Sequence, residues 1–148
     1  MNSVNSMYNG IQYINYDFLE LPLIAAIQTA CEMIDKAANQ ARARYIDDPL
    51  KLAEYQLAEK EALEYRAVNY QGDVPPTVLC WASATGLDGE SAANEILERA
   101  AQCDAALQTI RSIRHSCKAV IRQATNHQAA LEALDAAVAE LLSQFPSK

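Results

Sequence analysis

From Glu90 to Ala124 the chain contains neither glycine nor proline, and its apolar positions recur without a break at intervals of four and three. Ile96, Ala100, Cys103, Leu107, Ile110, Arg114, Cys117, Ile121 and Ala124 form this seam, and Ile113 and Val120 broaden it. Such alternation keeps every seam residue on one face of a helix. The spacing therefore predicts a continuous helix over 90–124, roughly 50 Å long at the standard helical rise. Composition agrees. Of 148 residues 51% are hydrophobic, only 4 are Gly and 5 are Pro, and Ala is abundant, which favours helices over a turn-rich sandwich or barrel.

Three further helices are predicted around this one. The first starts near Leu21, with Pro22 in its first turn, and carries Leu23, Ile27, Ala30, Ile34, Ala37, Ala41 and Tyr45 on one face. Asp48 as N-cap and Pro49 at the first helical position open the second, whose apolar face holds Leu52, Tyr55, Ala58, Ala62 and Tyr65 and which stops near Gly72. Their short connection predicts an antiparallel hairpin. After the long helix, Thr125 and Gln128 have capping-box spacing, and a last helix shows Leu131, Leu134, Val138, Leu141 and Phe145 before Pro146.

Between the two pairs lies a junction, Val74-Pro75-Pro76 leading into a short apolar helix with Trp81 and ending at Gly86. Trp81, the single tryptophan, reads either as a plug between the helical hairpins or as an anchor for a partner. The expected fold is all-α: two antiparallel helical hairpins joined by a Pro-Pro/Trp junction, in one domain divided as arm 1–20, hairpin 21–72 and junction plus long hairpin 73–148.

The first twenty residues differ from the rest. Asn9-Gly10 between β-prone segments signals a two-residue hairpin turn, so an N-terminal β-hairpin and an extended arm are both open readings. Tyr8, Ile11, Tyr13, Tyr16 and Phe18 concentrate aromatic and apolar surface there and are the candidate partner contacts. A second candidate is a basic stripe at helical spacing, Arg111, Arg114, Lys118 and Arg122. It would either dock an acidic partner surface or pair internally with Glu132, Asp135 or Glu140, or with the acidic second helix.

Enzymatic chemistry finds no footing in the motifs. His115 and His127, the two histidines, have no carboxylate at dyad spacing, and no glycine-rich phosphate loop occurs. The four cysteines, Cys31, Cys80, Cys103 and Cys117, form no metal-ligand or C-x-x-C pattern. No catalytic, cofactor or metal site is expected, and the thiols read as reduced. A net charge of −7 argues against a nucleic-acid or anionic-lipid surface. No apolar run reaches the ~20 residues of a membrane span, and a secretory leader is not expected.

The junction and long helix resemble a known group. Tyr65, Tyr70, Gly72, Val74-Pro75, Val78, Trp81-Ala82, Ala84 and Gly86 follow its G-x-V-P-x-x-V-x-x-W-A pattern. Arg111, Arg114 and Lys118 follow its Arg-x-x-Arg-x-x-x-Lys, and Leu141, Leu142 and Phe145 its closing aromatic repeat. Over about residues 60–145 the chain resembles small tail proteins of bacteriophages and prophages of the tail-fibre assembly type. The resemblance implies a non-enzymatic assembly chaperone or adaptor that binds a tail-fibre or other tail protein, with homo-oligomerisation a further option. It places the protein in the host cytoplasm during phage assembly or in the virion tail. A structural tail or baseplate component is the alternative, and an acidic inhibitor of a host nucleic-acid enzyme a third.

Overall fold

Asn9 and Gly10 both take left-handed backbone, with φ of 49° and 77°, as a type I′ turn demands. They join β1 (Ser3–Tyr8) to β2 (Ile11–Asp17) in an antiparallel pair, so the hairpin, not a loose arm, forms the N-terminus of the described chain. A computed structural model describes residues 3–146. The register runs Tyr8 with Ile11, Ser6 with Tyr13 and Val4 with Tyr16, and a bulge between Val4 and Ser6 sets Asn5 against two residues of β2. Asn15 takes φ of 56° there, and its N–H donates to Asn5 Oδ1 at 2.8 Å. The side chain of Asn5 thus satisfies an amide that the bulge removes from the ladder.

A single 3₁₀ turn, Phe18–Glu20, capped by Asp17, leads into the helices. They are α1 (Leu23–Arg42), α2 (Pro49–Ala67), α3 (Pro76–Thr85), α4 (Gly89–Arg122) and α5 (His127–Gln144). The chain is mostly helical, with this small two-stranded sheet as the β content of the described residues. The starts follow capping chemistry. Asp48 Oδ1 accepts from Leu50 N at 2.9 Å with Pro49 just inside α2, and Asp88 Oδ1 accepts from Ser91 N at 2.7 Å at the start of α4. At α5 the cap is Asn126, whose Oδ1 accepts from Ala129 N at 2.8 Å, and not the expected Thr125. Gly86 ends α3 in the left-handed conformation, φ 72°.

Contacts divide the chain differently from the expected 1–20, 21–72 and 73–148. Residues 1–43 and 109–148 form one compact unit, and residues 44–108 the other. The helix expected over 90–124 is realised as α4, whose first part belongs to the second unit and whose remainder belongs to the first.

In the first unit α1 packs along α5, the hairpin lies against α1 through β1, and the 3₁₀ turn meets α5. The helix interface is built on small residues: Ala25, Ala26, Ala30, Ala38 and Ala41 of α1 and Ala130 and Ala137 of α5 are buried. Short side chains let backbones approach closely, so the buried stripe includes alanines that a search for large apolar residues passes over. Ile34, Ile110, Ile121 and Leu134, each at most 1% exposed, fill the space between. The second unit joins α2, α3 and the start of α4 around Ala62, Tyr65, Val78, Ala82, Ala92, Ala93 and Ile96. The expected hairpin of the first two helices is not confirmed, since α1 falls in the first unit and α2 in the second. Apolar residues are scattered around α2, with Leu50, Tyr55, Leu57 and Leu63 exposed, and such a helix has no single seam from which its partner could be read.

Candidate functional site

The hairpin concentrates the exposed apolar surface of the first unit. Alternation and register place Tyr8, Ile11 and Tyr13 on the face that also carries Ser6. Tyr16 joins them beyond the bulge, its ring edge-on to Tyr13 with centroids 5.2 Å apart. Ser6 is the attachment point. Buried, it shares a 2.8 Å hydrogen bond with Thr29 of α1, whose hydroxyl also reaches the Ala25 carbonyl. Gln28 Nε2 of α1 donates to the Met7 carbonyl at 3.2 Å and to Glu32 Oε1 at 2.9 Å. Around these bonds lies a shallow open groove of about 440 Å³, lined by residues including Asn5, Met7, Gln12, Ile14, Gln28 and Glu32. Met7, Ile11, Ile14 and Tyr16 remain 56%, 55%, 69% and 41% exposed, so the hairpin shows apolar side chains that its docking leaves uncovered.

Phe18 does not belong to this surface. It is fully buried, its ring perpendicular to that of His127 at 6.2 Å, and His127 Nε2–H donates to the Leu21 carbonyl at 2.6 Å. The 3₁₀ turn swings Phe18 out of strand alternation and into the core, a change of direction that aromatic composition alone does not reveal.

The basic stripe also divides. Arg114 Nη1 and Lys118 Nζ of α4 both meet Asp35 of α1, at 3.1 Å and 2.7 Å, and their side chains are only 23% and 15% exposed. Burial pushes the Asp35 carboxyl up, yet the hydrogen bonds from Lys118 and Arg114 outweigh it and hold the group below its ordinary range. Arg114 and Lys118 thus pair internally, with Asp35 of α1 and not with the acidic residues that the sequence suggested for them. Asp35 sits 79 and 83 residues away in sequence and shares no periodic signal with the stripe. Arg111 and Arg122 lie on the exposed side of α4.

In the second unit Val74, Pro75 and Trp81 act as support. Val74 and Trp81 pack against the core cluster. The indole Nε1–H donates to Glu95 Oε2 at 2.9 Å, and the Arg99 guanidinium stands 4.9 Å above the ring while bridging Glu95. That indole hydrogen bond is the main cause holding Glu95 below the ordinary carboxylate range. Glu61 of α2 accepts from the backbone and hydroxyl of Thr77, placing a negative charge at the start of α3, where Pro75 offers no side-chain cap. Tyr70 enters from the sequence only through the resemblance, with no structural role attached to it. It takes φ of 58°, a strained conformation for a tyrosine, secured by a 2.7 Å bond from its hydroxyl to Asn94 Oδ1 and edge-on packing against Tyr65.

Among the described residues no cluster of His, Cys, Asp and Glu could hold a metal ion, and no helix is long and apolar enough to cross a membrane. The four thiols are free. No family model, curated protein or solved structure matches the chain.

Proposed function

We propose that the protein is a non-enzymatic assembly factor of phage tail or tail-fibre morphogenesis, a chaperone or adaptor acting in the host cytoplasm. The phage context rests on the junction and long-helix resemblance over residues 60–145. The binding role rests on one observation, the hairpin whose Met7, Ile11, Ile14 and Tyr16 stay exposed while only its β1 side is tied to α1. Large apolar and tyrosine surface on a small supported element suits capture of another chain, because it offers contact area with little conformational freedom to lose. Tyr8, Ile11, Tyr13 and Tyr16 are the contact residues in this reading, and the helical units are their support. A binding function without chemistry also suits His127, which is spent on a backbone carbonyl, and His115, which lies 3.3 Å from Arg114 Nη2.

Co-expression with the tail-fibre protein encoded in the same phage or prophage tests the reading. We expect the fibre protein to be recovered folded only with this chain present, a stable complex before assembly, and absence of the chain from purified virions. Many copies per particle by mass spectrometry would support a structural tail or baseplate component instead. A chain that neither forms a complex with the fibre protein nor occurs in virions would overturn the assignment.

A further inference from the structure

Two strands make a sheet with two edges, and here only one is occupied. In a two-residue hairpin the residues flanking the turn exchange both backbone hydrogen bonds, and the pattern then alternates along the strands. Tyr8 with Ile11 and Ser6 with Tyr13 are therefore the bonded pairs, while Met7 and Gln12 turn their N–H and C=O groups outward. On the β1 edge the Met7 carbonyl is taken by Gln28 of α1. On the β2 edge the same alternation turns Gln12 and Ile14 outward, with no third strand beside them among the described residues. Proteins ordinarily guard such an edge with a charged residue or a proline. From Ser3 to Tyr16 this hairpin has neither.

We infer that the β2 edge pairs with the β2 edge of a second copy of this chain, giving an antiparallel four-stranded sheet of order β1-β2-β2-β1. Charge selects the occupant. The chain carries a net −7, so most of its surface repels a second copy, yet this uncharged fourteen-residue segment is a place where two copies meet without opposing like charges. Geometry fixes the register. The edge is regular only from Ile11 to Ile14, because Asn15 is left-handed at the bulge. A two-fold axis through Tyr13 sets Gln12 opposite Ile14 of the second copy, and Ile14 opposite its Gln12. Each pair exchanges both of its outward bonds, and the two Tyr13 residues face each other across the axis. Such an interface is isologous and closes on itself, so it makes a dimer and not a filament. It also enlarges an isolated two-stranded ribbon, which is marginal in water, to the strand number at which sheets become stable. This pairing does not depend on the phage assignment.

Sedimentation equilibrium of the full chain tests it, with far-UV circular dichroism to verify folding. The native chain is expected to reach twice its 16.2 kDa mass by about 100 μM, within the ordinary range of specific association. Replacing Gln12→Glu and Ile14→Glu together puts acid against acid in both pairs and is expected to weaken the dimer at least about tenfold. Replacing Gln12→Lys and Ile14→Glu together puts opposite charges face to face only in the stated register, and is expected to keep the dimer. A native chain that stays monomeric at that concentration overturns the proposal. So does a double-Glu variant that associates like the native chain, or a Lys/Glu variant that dissociates as the double-Glu one does.

Discussion

Lys118 Nζ lies 2.7 Å from Asp35 Oδ2, across 83 residues of sequence, and Arg114 Nη1 lies 3.1 Å from the other oxygen of the same carboxylate. Two cations on successive turns of α4 thereby clamp one anion on α1. Arg114 and Lys118 occupy positions that solvent only partly reaches, so losing the carboxylate leaves them without compensation.

Asp35→Asn should therefore lower stability by about 1–2 kcal/mol at pH 7, a figure discounted for the third of Asp35 that solvent still reaches. The folded carboxyl titrates below the unfolded value of about 3.9, so its contribution is fully present above that pH and is lost as pH falls through the folded pKa. Urea melts of both chains at descending pH should converge once the pH has fallen through the lowered folded pKa of Asp35. A gap that persists there would place the effect in packing and not in charge.

Phe18→Ala should cost about 3–5 kcal/mol, as for a fully buried aromatic, and should free the His127 ring from its edge contact. Tyr16→Ala, at an exposed position, should cost under about 1 kcal/mol. Paired denaturant titrations check the contrast; equal losses would mean that the 3₁₀ turn does not divide surface from core between residues 16 and 18.

Trp81→Phe should cost about 1–2 kcal/mol, the indole hydrogen bond to Glu95 and part of the Arg99 stacking being lost while most of the ring's packing stays. Trp81→Ala should cost about 2–4 kcal/mol, because the ring is half-buried on the second unit's core. Far-UV circular dichroism in denaturant titrations follows the unfolding of both variants, since each lacks the single indole that reports on the native chain.

Thiol reactivity should rank by exposure. Burial lifts the Cys117 thiol to about 11, with the nearby Cys31 adding to the shift, and its Sγ lies 3.4 Å from the Ala133 carbonyl. Burial likewise raises Cys31 and Cys103. With a disulfide reagent at pH 8, Cys80, the exposed thiol, should react first, and Cys117 only as the chain unfolds. Peptide mapping of the first-labelled fraction decides it.

Local signals in this chain were legible where one residue type answers one geometric need. Asn9-Gly10 specifies its turn, Asp48-Pro49 opens α2, Gly86 closes α3, and the unbroken seam of α4 declares its length. Pairing was not legible, because it depends on contacts that periodicity does not encode. Alanine packs α1 along α5 through absence of bulk, and alanine looks the same on a buried face as on an exposed one. Of the surface residues, the hairpin tyrosines could be found from composition. Phe18 could not be separated from them, since a short 3₁₀ turn carries little pattern. Asp35 went unseen beside the basic stripe for the same reason as the packing of α1 along α5: long-range partners leave no trace in local spacing.

The first unit is discontinuous in sequence, with residues 44–108 inserted between its two parts. During synthesis at roughly 5–20 residues per second, α1 emerges several seconds before the stretches of α4 and α5 that complete its core. The inserted unit is contiguous and can close in that interval, while the alanine face of α1 and the hairpin beside it wait uncovered. Long-range closure of this kind is slow and comes last, so the nascent chain passes through a stage in which its most adhesive strands are present before the core beneath them is finished.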